Sequence, residues 1–431
     1  MTASETPPIT ADSNSAMESD FTSTSTQPVT LKSPWKTIIA CGIGFVALIA
    51  AFSARPVYDL WEQRQRKEFR RQESRFRDEC LAAHDKRDWG QVESVGREWT
   101  KWNPGTSDGW LLLADALQQQ GHYAEAVSAL LTIPETSHKA VAGFLEASHL
   151  QFGIAGQPLK GVETCRRILR LEPRCIEARR RLIFYNAITL QRNEMLVEIR
   201  DAIEAQAAPP EAYVYLILAD HLMFSNGFEL TLRWKSAQPD VELFTVAHAI
   251  HMNQTLDHAE KQDAEPEAAR DARQKSIRAL LDRFPANPQL LRYFLDQAIR
   301  DAQLTEVGRL MALVPENALH DSLFWRNRAW YLRELGQLEQ SSQAYQTSLE
   351  LHALDWRAWF ERSDVERQLG HKEQAGRLQS VGLRGKELRK KLVQLPDALE
   401  VSPELMKQIE LYARLCGDRV VADAIRLELR Q

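Results

Sequence analysis

The sequence is short of the residues that build chemical sites. Its five cysteines, Cys41, Cys80, Cys165, Cys175 and Cys416, are odd in number and scattered through 431 residues. With no CxxC pair they indicate neither a disulfide framework nor a zinc ribbon, and they read as buried thiols on helices. There is no Gly-rich phosphate loop, no GxSxG elbow and no HExxH, the local signatures of nucleotide binding, serine hydrolysis and zinc proteolysis. Positive charge is not in excess. A net charge of -5 and a pI near 6.2 exclude a general nucleic-acid binder, whose footprint is a surplus of Lys and Arg.

Weak clusters remain, and each has a plainer reading. His248 and His251 stand three apart on an expected helix, with His258 and Glu260 beyond, but a third metal ligand in helical register is missing. Arg174, Arg179, Arg180 and Arg181 are interleaved with Glu172 and Glu177 and followed by Glu194, Glu198, Asp201 and Glu204. That mixture reads as a solvated face rather than a phosphate patch. The run RGKELRKK at 384–391 reads as an exposed helix end, with anionic lipid or an acidic partner as the alternative. No enzyme activity, cofactor, metal or small-molecule substrate is therefore expected.

Long apolar runs are also scarce; there is one. Residues 1–33 are rich in Ser, Thr, Pro and acidic side chains and are expected to form a disordered tail. Thr37–Ala54 then supplies eighteen residues without a charge, flanked by Trp35 on one side and Tyr58 and Trp61 on the other. That length and those aromatics predict a transmembrane helix over 34–54. A cleaved signal peptide would need a far shorter lead-in, lipidation at Cys41 has too short an apolar run before it, and a buried core helix has nothing in the tail to cover it. Arg55, Arg64, Arg66, Lys67, Arg70, Arg71 and Arg75 follow the span, against Lys32 and Lys36 before it. The positive-inside rule then places the C-terminal part in the cytoplasm of a single-pass membrane protein, with the periplasm as the alternative. Asp59, Glu62, Glu68 and Glu73 among these cations make 55–72 a charged, exposed juxtamembrane helix.

What the chain does have is a period. Phe76, Trp110 and Phe144 stand 34 residues apart, as do Trp325 and Trp359, and that period implies stacked helix pairs. Within WLLLADALQQQGHYAEAVSALLTIP, Trp110 opens the first helix, Ala114 is the small contact, Gly121 makes the turn and Tyr123 and Ala126 start the second helix. The same template is repeated as Trp325, Ala329 and Gly336, and as Trp359, Gly370 and Ala375. On these residues the chain resembles the tetratricopeptide repeat family.

The resemblance implies an all-α fold, a solenoid in which helix pairs wind into a right-handed superhelix, behind the transmembrane helix and the tail. The expected organisation is an N-terminal block over 73–205, degenerate helical repeats over 206–285, a C-terminal block over 286–383 and capping helices over 384–431. GFELTLRW at 227–234 alternates like a strand but is expected to be a distorted helix, since a lone strand has no partner. Residues 259–275 are expected to form an exposed charged connection, and the helix pair Pro403–Leu415 and Asp418–Leu429 to cap the stack.

In this family the concave groove, lined by the first helix of each pair, receives a peptide or a partner's helix. Carried over position by position, that groove falls on Arg77, His84, Asp115, Gln118, Gln119, His149 and Phe152, and later on Arg326, Trp330, Arg333, Asp364 and Arg367. The resemblance thus implies a membrane-anchored scaffold for protein or peptide partners, with envelope assembly or secretion as the setting its layout suggests. The alternatives are a non-catalytic binding subunit of a membrane enzyme complex and a self-associating structural envelope protein.

Overall fold

A computed structural model describes the backbone of residues 34–220, 226–259 and 267–430, and side chains from Tyr58 to Arg430 except at Asp59, 221–225 and 256–267. Among the described residues there are twenty α-helices and no strand. They run α1 Pro34–Asp85, α2 Trp89–Trp102, α3 Ser107–Gln119, α4 Tyr123–Leu131, α5 Ala140–Phe152, α6 Pro158–Leu171, α7 Ile176–Ile188 and α8 Arg192–Glu204. The middle holds α9 Pro210–Ile217, α10 Gly227–Ala237, α11 Glu242–Ala259 and α12 Glu267–Arg283. The remainder is α13 Pro288–Arg300, α14 Leu304–Met311, α15 Ser322–Glu334, α16 Leu338–Leu351, α17 Trp356–Gln368, α18 Lys372–Leu392, α19 Pro403–Leu415 and α20 Arg419–Glu428.

The chain divides into two units, Met1–Gln72 and Glu73–Gln431. In the first, the expected tail lies outside the described residues. The expected span and juxtamembrane helix are not separate elements but parts of the 52-residue α1. Among the described residues no helix is long and apolar enough to cross a membrane. Within this first unit the described side chains of α1 are mostly exposed, with Arg64, Lys67, Glu68, Arg70 and Arg71 turned outward and Arg66 paired to Glu62 at 2.5 Å. The single-pass membrane localisation, and the cytoplasmic placement that depended on it, are therefore not upheld; the side chains of 34–54 lie outside the described residues.

In the second unit the repeat logic is visible residue by residue. Thr106 caps α3 by accepting from the Gly109 amide, which satisfies one of the donors a helix start leaves open. Leu113, Ala114 and Leu117 then fall on one buried face, and the helix ends where Gly121 adopts φ +81°, a conformation that costs a glycine little. Ala114 and Ala126 are fully buried where α3 and α4 meet, and Phe144 fills the next interface with no exposure, a burial that contributes about 2 kcal/mol.

The tryptophans of the 34-residue period do more than fill space. The Trp110, Trp325 and Trp359 indoles donate to the carbonyls of Pro104, Leu319 and Ala353, each six residues back, at 2.7–2.9 Å. Each ring thereby ties its helix to the loop that precedes it. Arg179 makes the equivalent bonds to the Pro173 carbonyl at 2.9 and 3.1 Å, so α7 and α8 form a fourth pair in which a guanidinium takes the aromatic's place. Of the cluster expected as a solvated face, Arg174 is exposed, with Glu172, Glu194, Asp201 and Glu204, whereas Arg179, Arg180 and Arg181 are drawn into tertiary contacts. Arg179 is buried, and Arg180 pairs with Glu211 and Glu177 at 2.5 and 2.8 Å.

The middle of the chain leaves the simple stack. GFELTLRW is helical, within α10, and its apparent alternation dissolves because Thr231 and Trp234 are buried while Leu232 is exposed. Of the charged connection expected over 259–275, residues 260–266 lie outside the described residues, and 268–272 are exposed on α12, which begins at Glu267. Helices α10 and α11 dock on the C-terminal ends of α5 and α7: Trp234 Nε1 donates to the Phe152 carbonyl at 2.9 Å, and His251 Nε2 to the Ile188 carbonyl at 2.8 Å. His248 and His251 are thus buried tertiary contacts, both held below the ordinary imidazole pKa, chiefly by burial.

The expected final pair is present as α19 and α20, and it does more than end the stack. Met406, Ile409, Tyr412 and Ile425 share one core with Met195, Ile199, Tyr213 and Leu216 of α8 and α9. Buried polar contacts fasten this return. Arg200 grips the Asp418 carboxylate with two bonds of 2.6 and 2.9 Å, and His352 Nε2 donates to the Leu216 carbonyl at 3.0 Å. Asp321 lies between Arg192 and Arg292, the latter 3.0 Å away. Within 384–391 the basic run continues α18, with Leu388 buried and Lys391 bound to Gln408.

Candidate functional site

The first helices of successive pairs, α1, α3, α5 and α7, present their side chains to one another at a spacing of about one repeat. Arg77 reaches Asp108 at 3.0 Å, and Lys139 pairs with the other oxygen of the same carboxylate. Burial pushes the Asp108 carboxyl up, but the two cations outweigh it and hold it below its usual range. His84 meets Asp115 at 2.9 Å, Gln119 donates to Asp115 at 3.4 Å, and Gln118 is partly buried beside them. Arg181 of α7 bonds the Leu145 carbonyl and Ser148 hydroxyl of α5 as well as Glu177. The result is a polar ladder that crosses four helices and neutralises its own charges.

At the end of the ladder the face changes character. His149, Phe152, Gly153, Arg181, Phe184, Leu230 and Trp234 enclose a cavity of about 190 Å³. Its walls come from three helices. Phe152 packs on Tyr185 with ring centres 5.8 Å apart, and Tyr185 packs on Trp234 at the same separation. Gly161 permits this, because a Cβ there would stand 2.9 Å from the Phe152 ring. Trp234 cannot rotate away while its indole N–H holds the Phe152 carbonyl. The site is therefore rigid and apolar inside, with the exposed His149 at its rim.

Of the positions carried over from the family, Arg77, His84, Asp115, Gln118, Gln119, His149 and Phe152 share this face, and His149 and Phe152 line the cavity itself. The C-terminal positions divide. Arg326 is buried and bound to Asp355 at 2.8 and 3.0 Å, with Asp220 at 3.5 Å. Trp330 is buried in the core built around α13. Both are covered by other parts of the chain and cannot line an open groove. Arg333, partly buried, pairs with Glu334 at 2.7 Å, and Arg367 with Asp364 at 2.6 Å on an exposed surface. Sequence reasoning missed Phe184, Leu230 and Trp234; only the apolar residues of 227–234 offered a signal, and they gave no indication of what they faced.

Among the described residues no three His, Cys, Asp or Glu side chains gather as a metal set. Burial pushes the Cys165 thiol up to about 12 and the Cys80 thiol up to about 11, so neither offers a thiolate nucleophile at neutral pH.

No family model matches the chain, and no curated protein matches it. Solved structures similar to it include yeast Tom70, at 13% identity over 82% of this chain and 89% of that one, with a TM-score of 0.25. A tetratricopeptide repeat protein from Parabacteroides merdae is 11% identical over 72% of this chain and 98% of its own, with a TM-score of 0.25. Human IFIT1, solved as a dimer with m7Gppp-AAAA, is 13% identical over 81% and 76%, with a TM-score of 0.29.

Proposed function

We propose that this protein is a non-catalytic interaction scaffold that binds a peptide segment of a protein partner along the face of α1, α3, α5 and α7. One bulky apolar side chain of that segment sits against Trp234. The observation that carries this reading is the cavity itself, which is apolar, rigid and open at a face whose charges are already satisfied. Such a hole favours an apolar anchor, because filling it removes apolar surface from water without stranding a charge. The exposed His149 ring at the rim is placed to bond a backbone group of the same segment. Specificity then comes from the anchor residue, and register from the polar ladder.

Selection of random peptides displayed on phage against the full chain tests this. The expected outcome is enrichment of peptides with a bulky apolar residue, whose affinity falls at least about tenfold in Leu230→Asp and Phe184→Ala. Arg367→Ala, on the far block, leaves binding unchanged. Enriched peptides that bind both pocket variants as well as wild type would overturn the reading, provided the variants keep the wild-type melting profile.

A further inference from the structure

A second cleft, of about 660 Å³, lies between α6 and α8. Arg166 and Arg170 line it from α6, and Glu198, Asp201 and Glu204 from α8. Leu169, Leu182 and Ala205 contribute apolar surface, and the buried Arg179 closes the lining. Opposite charges thus face each other across the cleft, yet among the described residues none of those five makes an ion pair or a side-chain hydrogen bond. Their neighbours on the same helices behave differently: Arg167 pairs with Glu135 at 2.6 Å, and Arg200 holds Asp418. Glu198 is only partly exposed, and burial raises its carboxyl above the usual range despite the pull of Arg166 and Arg179.

A half-buried carboxylate that faces guanidiniums without touching them is incompletely satisfied, and a ligand of the right polarity would complete it. The spacing says what shape. Arg166 and Arg170 are one helical turn apart, and Glu198, Asp201 and Glu204 repeat every three residues, so each row forms a charged ridge inclined to its helix axis. Two such ridges with a groove between them match the ridge of a third helix. The cleft is also too open to enclose most of a small molecule, as small-molecule sites do.

We propose that the α6–α8 cleft is a second binding site, which takes a helical segment of a partner protein bearing an acidic stripe toward α6 and a basic stripe toward α8. It is separate from the Trp234 cavity and does not depend on that reading. The test uses the full chain and two fluorescent Ala-rich helical peptides of identical composition. One carries its Glu and Lys residues in separate stripes on opposite flanks; the other has them scrambled.

Fluorescence anisotropy should show saturable binding of the striped peptide at least about tenfold tighter than the scrambled one, falling as salt is raised. Arg166→Glu/Arg170→Glu, at two exposed positions, should weaken it at least about tenfold with the circular dichroism spectrum unchanged. Equal binding of the scrambled peptide, or of a peptide carrying Lys alone or Glu alone, overturns the proposal. So does tighter binding of an RNA oligomer, indifference to the double reversal, or no binding of the striped peptide.

Discussion

Replacing Asp321 by alanine tests how firmly the C-terminal helices are held to the middle of the chain. Asp321 is buried between Arg192 and Arg292, and both guanidiniums are themselves mostly buried. Burial alone would raise its carboxyl, but Arg192 and Arg292 outweigh that and hold it below the ordinary value. Asp321→Ala leaves two buried cations without the carboxylate they share, a change that costs about 3–5 kcal/mol. It also removes the cap that accepts from the Leu323 amide at 3.0 Å, worth about 1 kcal/mol.

The expected loss is therefore about 4–6 kcal/mol. Spread over the unit Glu73–Gln431, about 360 residues, this lowers Tm by roughly 5–8 °C if the unit melts cooperatively. Differential scanning calorimetry of the full chain reads it, with Arg300→Ala, which removes an exposed pair with Asp296, as a control that shifts Tm by less than about 1 °C. A shift under about 2 °C for Asp321→Ala would refute the claim that this ion cluster latches the return of the chain.

Three further outcomes follow from the same packing. Burial lowers the pKa of His352 from 6.5 to about 3, so the native state keeps it neutral while the unfolded chain takes up a proton below pH 6.5. Stability is then complete above pH 6.5 and falls by up to about 5 kcal/mol between 6.5 and 3; urea titrations across that range should flatten in His352→Gln. Ala302 is exposed and held at φ +51°, so Ala302→Gly should raise stability by about 1 kcal/mol despite adding a glycine, read as an increase in the urea midpoint. Ala126→Arg forces a charged chain into the fully buried contact of α3 with α4. It should cost several kcal/mol, roughly the cost of an unpaired buried charge, and a Tm change under about 2 °C would contradict the register.

The parts of this fold legible in the sequence are those where one residue type does one local job. Trp110, Trp325 and Trp359 mark helices because an indole both fills a gap and bonds the loop six residues back. Gly121 and Gly370 mark turns because those turns need positive φ. The pair α7–α8 departs from the motif because Arg179 does the tryptophan's work and Leu190 takes the glycine's place at φ +59°. Neither substitution looks like the motif, although both satisfy the same geometry.

The candidate site was legible in the same uneven way. His84, Asp115 and His149 lie on a face defined by local repeat geometry, which a spacing rule can find. Arg326 obeys the same rule, but Asp220, more than a hundred residues earlier, comes to cover it. A local pattern contains no information about such a long-range contact. Trp234 was hidden for the same reason, since its value to the site comes from docking on α5, 82 residues back in sequence.

The open face of the N-terminal helices and the filled face of the C-terminal ones can be compared in one measurement. A photo-crosslinking benzoylphenylalanine is placed at His149 in one full-length variant and at the exposed Arg367 in another, and each is irradiated with the peptides recovered by selection. Capture at 149 and background at 367 is the predicted result. Equal capture at the two positions, or capture at 367 alone, would contradict the placement of the binding face.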